Sequence, residues 1–269
     1  MKRKTFVAMI APLALGFAYA AAPIAASAQT AKTITVGADT TFPPFETEVN
    51  GKVTGFDIDM IKAIAKAEGL HIKIKTLPFG GIIPSLQTGA LDVAVAGITI
   101  KTSRLKNVDF SDAYYKSGLS ILVKKGSGIK GFDDLKGHVV ATKKGTSSVD
   151  YLQQHGFDMS HVKQFENIDG AYQTLVTGGA DAVIFDNPVN VNFKVEHAGL
   201  ETAGPLLTGE YYGIAISKKD PTLAAKINAG LAEIKKNGTY AKLFKTWFGG
   251  DTSGEVNETL KPDAVAVSD

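Results

Sequence analysis

Apolar positions along the chain switch repeatedly between two periods. Residues 33–37 (Thr-Ile-Thr-Val-Gly) are short and β-branched, which predicts a buried strand. From Phe56, apolar side chains at Ile58, Ile61, Ile64 and Ala65 recur at helical spacing, and Gly69 supplies the stop. Residues 71–77 alternate as a strand, 82–88 read as a short helix ended by Gly89, and 92–96 form an apolar strand. Farther on, residues 139–142 read as another strand. Leu223, Ile227, Leu231 and Ile234 lay one stripe on a helix capped at Asn237-Gly238, and Tyr240, Leu243, Phe244, Trp247 and Phe248 mark a second helix. Alternating strands and helices predict an α/β fold with mainly parallel sheets. Residues 251–269 lack a strong period and predict a flexible, extended C-terminal tail.

The pattern also repeats. In residues 83–97 and 172–186, Leu86 matches Leu175, Thr88-Gly89 matches Thr177-Gly178, and Asp92 matches Asp181, with an apolar strand after each. Matching positions through helix, cap and strand predict two similar α/β lobes. Gly97 and Asp186 then fall at equivalent strand ends. Asp39 and Lys143 follow strands 33–37 and 139–142 in the same way. Ligands of open α/β sheets bind beyond the carboxyl ends of the strands, so four strand ends from two lobes are expected to converge on one cleft.

The first segment is set apart. Lys2, Arg3 and Lys4 precede an apolar stretch from Phe6 to Ala22, followed by Ala26-Ser27-Ala28. This is the anatomy of a signal peptide over 1–28, cleaved near Ala28, and it predicts export to the periplasm. No later run approaches the ~18 apolar residues of a membrane span. Beyond residue 28 the chain holds 26 basic and 27 acidic residues, so the formal charge of +2 comes from the leader. That balance argues against a nucleic-acid partner. Cysteine is absent, which excludes disulfides and thiolate-ligated metals.

Few residues form a catalytic pattern. Gly126–Gly131 matches G-x-G-x-x-G, but the following residues 132–137 leave room for only a helical turn, so a surface loop is expected rather than a nucleotide site. The five histidines have no i, i+4 spacing and no accompanying G-x-S-x-G. A different set fits a free amino acid. Arg104, shortly after Gly97-Ile-Thr99, offers a fork for a carboxylate. Asp186 can accept from an α-ammonium and can also cap the helix opening at Asn187-Pro188. Asp39, Phe42, Phe45 and Phe79 group in lobe one, with Phe42 and Phe79 as candidate pocket walls. The turn Lys143-Lys-Gly-Thr146-Ser147-Ser opens a helix whose amides can accept a carboxylate.

These residues resemble a known family, the periplasmic amino-acid-binding proteins of ABC importers (solute-binding family 3), and most nearly its glutamine-binding members. The stretches that carry the resemblance are Ala38-Asp-Thr-Thr-Phe-Pro-Pro-Phe-Glu46, Gly55-Phe-Asp-Ile-Asp59, Phe79-Gly-Gly-Ile-Ile-Pro-Ser-Leu-Gln87, Ala96-Gly-Ile-Thr-Ile100 with Arg104, Asp109-Phe-Ser-Asp-Ala-Tyr-Tyr115, Gly145-Thr-Ser-Ser-Val149, and Asn237-Gly-Thr-Tyr240 with Trp247-Phe-Gly249. The resemblance implies a two-lobed type II flytrap with two hinge strands. Lobe one would take 33–114 and 211–250, and lobe two 119–208. It implies that Arg104, with the backbone of Thr99 and Ser147 beside Thr146, holds the α-carboxylate. Asp186, the Gly97 carbonyl and the Thr99 hydroxyl would hold the α-ammonium, and Asp39 and Lys143 the ligand side chain between Phe42 and Phe79. It also implies a monomer without catalytic residues, metal or cofactor, whose partner is a membrane permease. One departure is that Phe185 stands where the glutamine-binding pattern has a histidine. Ser147 likewise replaces a glycine.

The Asp39/Lys143 pair has a reading of its own. A carboxamide offers one acceptor and two N–H donors, so Lys143 can donate to its oxygen while Asp39 accepts from its nitrogen. Glutamate would set a carboxylate against Asp39, and a cationic side chain would meet Lys143. Glutamine is therefore the expected ligand, with another polar amino acid next. The alternative is an enzyme on the same scaffold, such as a cyclohexadienyl dehydratase-like protein.

Overall fold

A computed structural model describes Met1 and residues 33–268. Apart from Met1, the expected signal peptide over 1–28 and its cleavage site lie outside the described residues.

Two five-stranded sheets carry the chain. The first has the order His71–Thr76, Thr33–Ala38, Val93–Ala94, Ala215–Ile216, Asp109–Phe110. Its first three strands are parallel, and Ala215–Ile216 runs antiparallel between its neighbours. The second has the order Val162–Phe165, Val140–Lys143, Ala182–Asp186, Leu119–Lys124, Leu200–Ala203. Again three strands are parallel and the fourth is antiparallel to both neighbours. The protein is thus a two-lobed α/β structure with one plan used twice.

The sequence repeat marks equivalent stations in that plan. Helices Ile82–Thr88 and Ile168–Thr177 end at Gly89 and Gly178, with φ of 79° and 83°. That left-handed conformation costs glycine little and most other residues about 1 kcal/mol or more. Asp92 Oδ2 accepts from the Thr35 amide at 2.8 Å, and Asp181 Oδ2 from the Val139 amide at 2.8 Å. Each aspartate therefore ties the start of one strand, Val93–Ala94 or Ala182–Asp186, to its parallel neighbour, Thr33–Ala38 or Val140–Lys143.

Two strands cross between the lobes, Tyr115–Ser117 and Glu210–Tyr212, paired antiparallel with Ser117 opposite Glu210. Aromatic rings gather at this crossing. Tyr115 stacks on Tyr212 at 5.5 Å, and Phe45 meets Tyr115 edge-on at 4.8 Å. The predicted helical stripe buries Ile58, Ile61 and Ile64 of Phe56–Ala67 in one core with Leu223, Ile227, Leu231 and Ile234 of Leu223–Lys236. Each such side chain contributes about 1.5–3 kcal/mol of burial free energy.

The segment 251–268 departs from the flexible tail expected of it. It runs back over lobe one. The Gly254 carbonyl accepts from the Lys116 amide, the Leu260 carbonyl from the Ala113 amide, and Val267 bonds both Ile100 and Thr102 through its main chain. Val256 is buried, and Leu260, Val265 and Ala266 pack on the cluster around Ile98, Ile100 and Phe110. Four scattered apolar residues make no sequence period, yet each meets a lobe-one surface that would otherwise face water. Gly254 is required at its point of contact, since a Cβ there would lie 2.2 Å from the Tyr115 ring.

Candidate functional site

Strand ends of the two sheets meet at a narrow cavity of about 10 Å3. From the first sheet's side it is lined by Phe42, Phe79, Gly97, Thr99 and Arg104, and from the second by Lys143, Thr146, Ser147 and Asp186. Ala96 and Phe185 complete the wall. Asp39 lies behind Lys143 and is bonded to it, while Phe45 belongs to the core beside the crossover strands. A larger groove, about 400 Å3, opens beside Ser117 and Trp247 and shares none of these residues. Only the smaller cavity gathers Arg104, Lys143 and Asp186. Among the described residues, no group of His, Asp and Glu could hold a metal ion, and no helix is long and apolar enough to cross a membrane.

Gly97 shows why the local sequence is constrained. Its φ is +51°, and a Cβ on it would fall 2.2 Å from the Phe42 ring. Its amide donates to Asp57 Oδ2 at 3.2 Å, and Tyr114 donates its hydroxyl to the same oxygen at 2.6 Å. Asp57 and its neighbour Glu46 are fully buried, and burial pushes both carboxyls above the usual carboxylate range. This buried carboxyl pair underlies the Gly97 strand end.

One end of the cavity is an ion pair across the lobes. Lys143 Nζ donates to Asp39 Oδ2 at 2.6 Å, and both side chains are almost wholly buried. Asp39 is fixed further by the Thr41 amide and hydroxyl at 3.0 and 2.8 Å and by the Phe79 amide at 3.0 Å. Thr146 does not face a ligand with its hydroxyl, which donates instead to the Lys143 carbonyl at 2.7 Å and tightens the turn. The Phe79 ring sits 5.7 Å from Lys143 Nζ and 5.4 Å from the Arg104 guanidinium, so its π face serves both cations.

The other end holds Arg104, Asp186 and the hydroxyls of Thr99 and Ser147. Arg104 Nη1 donates to the Thr99 carbonyl at 2.9 Å, and Nη2 reaches the Gly145 carbonyl of lobe two at 3.4 Å. Asp186 occupies the cap position of helix Asn187–Val195, but its side chain makes no capping bond. It accepts instead from the Tyr212 hydroxyl at 2.5 Å. Burial, and next the charge of Glu210, push Asp186 up to about 7.

Several residues were not singled out as site residues from the sequence. Glu210 and Tyr212 come from the crossover strand, where Thr-Gly-Glu-Tyr-Tyr carries no motif. Their one signal is alternation, which turns both to the same buried face. Lys101 of lobe one is buried and paired with Asp150 of helix Ser147–Gln154 in lobe two. That pair straddles the lobes without lining the cavity.

Comparison with known proteins bears on this geometry. The sequence model of the bacterial extracellular solute-binding proteins, family 3, matches residues 34–250. The ABC-transporter glutamine-binding protein of Bacillus subtilis is 38% identical over 206 residues, 75% of each chain. The solved structure of ArtJ, an arginine-, lysine-, histidine-binding protein from Geobacillus stearothermophilus, superposes with a TM-score of 0.79 at 34% identity, covering 82% of this chain and 96% of that one. An ancestral arginine-binding protein solved with glutamine bound gives a TM-score of 0.75 at 45% identity, covering 81% and 98%.

Proposed function

We propose that this chain, which belongs to the bacterial extracellular solute-binding proteins, family 3, captures a free amino acid between its lobes and delivers it to the membrane permease of an ABC importer, with glutamine as its best ligand. The protein binds its cargo and is not an enzyme; its relatives are solute-binding proteins. The leader expected over 1–28 makes the periplasm its compartment, where it works as a monomer. Ligand shifts an open–closed equilibrium by bonding both lobes at once, and the permease reads the closed form.

The observation that carries the choice of glutamine is the buried Lys143–Asp39 pair at 2.6 Å. A ligand side chain entering there must replace each partner for the other. A carboxamide does so with its oxygen and its N–H groups, whereas a carboxylate or a guanidinium satisfies one partner and strands the other. The second reading is a cationic amino acid. It is supported by three buried carboxylates, Asp39, Asp186 and Glu210, around two cations, Arg104 and Lys143. The test is a thermal-shift series over the twenty common amino acids, since a ligand that binds only the folded state raises the melting temperature. Glutamine is expected to give the largest rise. A larger rise with arginine or histidine would replace the first reading by the second, and no rise with any of them would end both.

A further inference from the structure

The assignment of Arg104 and Asp186 to an α-amino acid leaves without a task one buried carboxylate that sits behind the cavity wall, between Thr99 and Ser147. Glu210 is 2% exposed. Its Oε2 accepts from Thr99 Oγ1 at 2.8 Å and from Ser147 Oγ at 3.0 Å, and its Oε1 from Thr208 Oγ1 at 2.9 Å. Thr99 and Ser147 line the cavity from opposite lobes. With their hydroxyl protons committed to Glu210, both turn lone pairs toward the cavity and act there as acceptors. Two residues along the same strand, Tyr212 donates to Asp186. One strand therefore aims a carboxylate and a phenol at the corner that Asp186 occupies from lobe two. The charge of Glu210 adds to burial in raising the Asp186 carboxyl. The groups that face Asp186 are Glu210, Tyr212 and Tyr115 from the crossover strands, Arg104 from helix Thr102–Asn107, and Tyr172 from helix Ile168–Thr177. Arg104 is the cation among them.

We propose that Glu210 is a further ligand-positioning residue, holding the Thr99 and Ser147 hydroxyls and forming with Asp186 a two-carboxylate cup for the ligand α-ammonium, and that seating the ammonium expels a proton from Asp186. The inference rests on the amino-acid reading above and adds a proton to it. The exchange balances in charge, because the ammonium brings the single positive charge that the proton supplied, and the proton leaves to buffer. The α-carboxylate is matched separately by Arg104. Glu210 acts twice here, once by its own charge and once by holding Thr99 Oγ1 as an acceptor for the same ammonium.

The test is titration calorimetry with glutamine in buffers of different ionisation enthalpy, at several pH values. The wild-type protein is expected to release about half a proton per ligand at pH 7 and close to one at pH 6, given an Asp186 carboxyl near 7 in the empty site. Asp186→Asn should abolish the release. In Glu210→Gln, burial of Asp186 persists but its like-charged neighbour is gone, so the release profile should move down by about one pH unit while affinity falls roughly tenfold or more. Glu210→Asp retains charge and loses reach. It should keep most of the release and still weaken binding, which separates charge from hydroxyl orientation and serves if the glutamine variant folds poorly. Glutamine binding with a buffer-independent enthalpy in the wild type, or a Glu210→Gln profile superposed on it, would overturn the inference and leave the amino-acid reading standing. Absence of heat with every amino acid tested would instead overturn that reading, and this one with it.

Discussion

The two ends of the cavity are built on different principles. At the end holding Arg104 and Asp186, Arg104 is steadied by carbonyls and Asp186 by a phenol. At the other end, Lys143 and Asp39 steady each other. In the function proposed above, the first arrangement offers preset partners to the part every amino acid shares. The second must be opened by whatever enters, so it tests the one part that differs. Breaking a buried ion pair on one side alone costs about 3–5 kcal/mol, enough to reject a side chain that satisfies only one partner. On that proposal the difference places affinity at one end of the cleft and selectivity at the other.

That comparison can be broken. Arg104→Ala removes a fork of charge-assisted bonds and is expected to weaken every amino acid, whatever its side chain, by roughly a hundredfold or more. Calorimetry showing unaltered affinity would take Arg104 out of the carboxylate subsite. Asp39→Asn should act at the other end only. It removes the charge that repels glutamate, so the preference for glutamine over glutamate should narrow by about tenfold while the preference for the L over the D enantiomer stays. A discrimination ratio that did not move would show that side chains are read elsewhere. The smallest effect is expected from Lys101→Met, which cuts an interlobe pair outside the cavity whose partner Asp150 is 38% exposed. Stopped-flow dissociation should quicken about three- to fivefold, since a partly solvated pair contributes about 1 kcal/mol or less. An unchanged rate would mean that the pair does not latch the closed lobes.

Much of this was legible in the chain because the relevant signals are local. The apolar stripe from Ile58 to Ala65 lies in helix Phe56–Ala67, and the Gly89 and Gly178 stops are left-handed caps. The repeat aligned Asp92 with Asp181, and both make the same strand-to-strand bond. Nine of the ten predicted site residues line one cavity, because strand ends of a parallel sheet converge whatever the loops contain. The parts that escaped notice depend on distant pairings. Glu210 gains its place only when its strand pairs with Tyr115–Ser117 and brings it between Thr99 and Ser147. The segment 251–268 shows no period because its few apolar residues answer a surface made by residues more than a hundred positions earlier.

The returning segment has a bearing on how tightly ligand is held. Val267 accepts from the Thr102 amide and donates to the Ile100 carbonyl, while the Ile100 amide bonds Tyr211 on the other side. The stretch carrying Thr99 and Arg104 is therefore splinted along both edges before anything enters the cleft. Immobilising a loose residue costs about 1–2 kcal/mol, and here that loss is taken during folding rather than at capture. In the function proposed above, preorganisation of the carboxylate clasp is thus supplied by main-chain atoms more than 160 positions downstream, which would make this returning segment part of the receptor's affinity although it does not line the cavity.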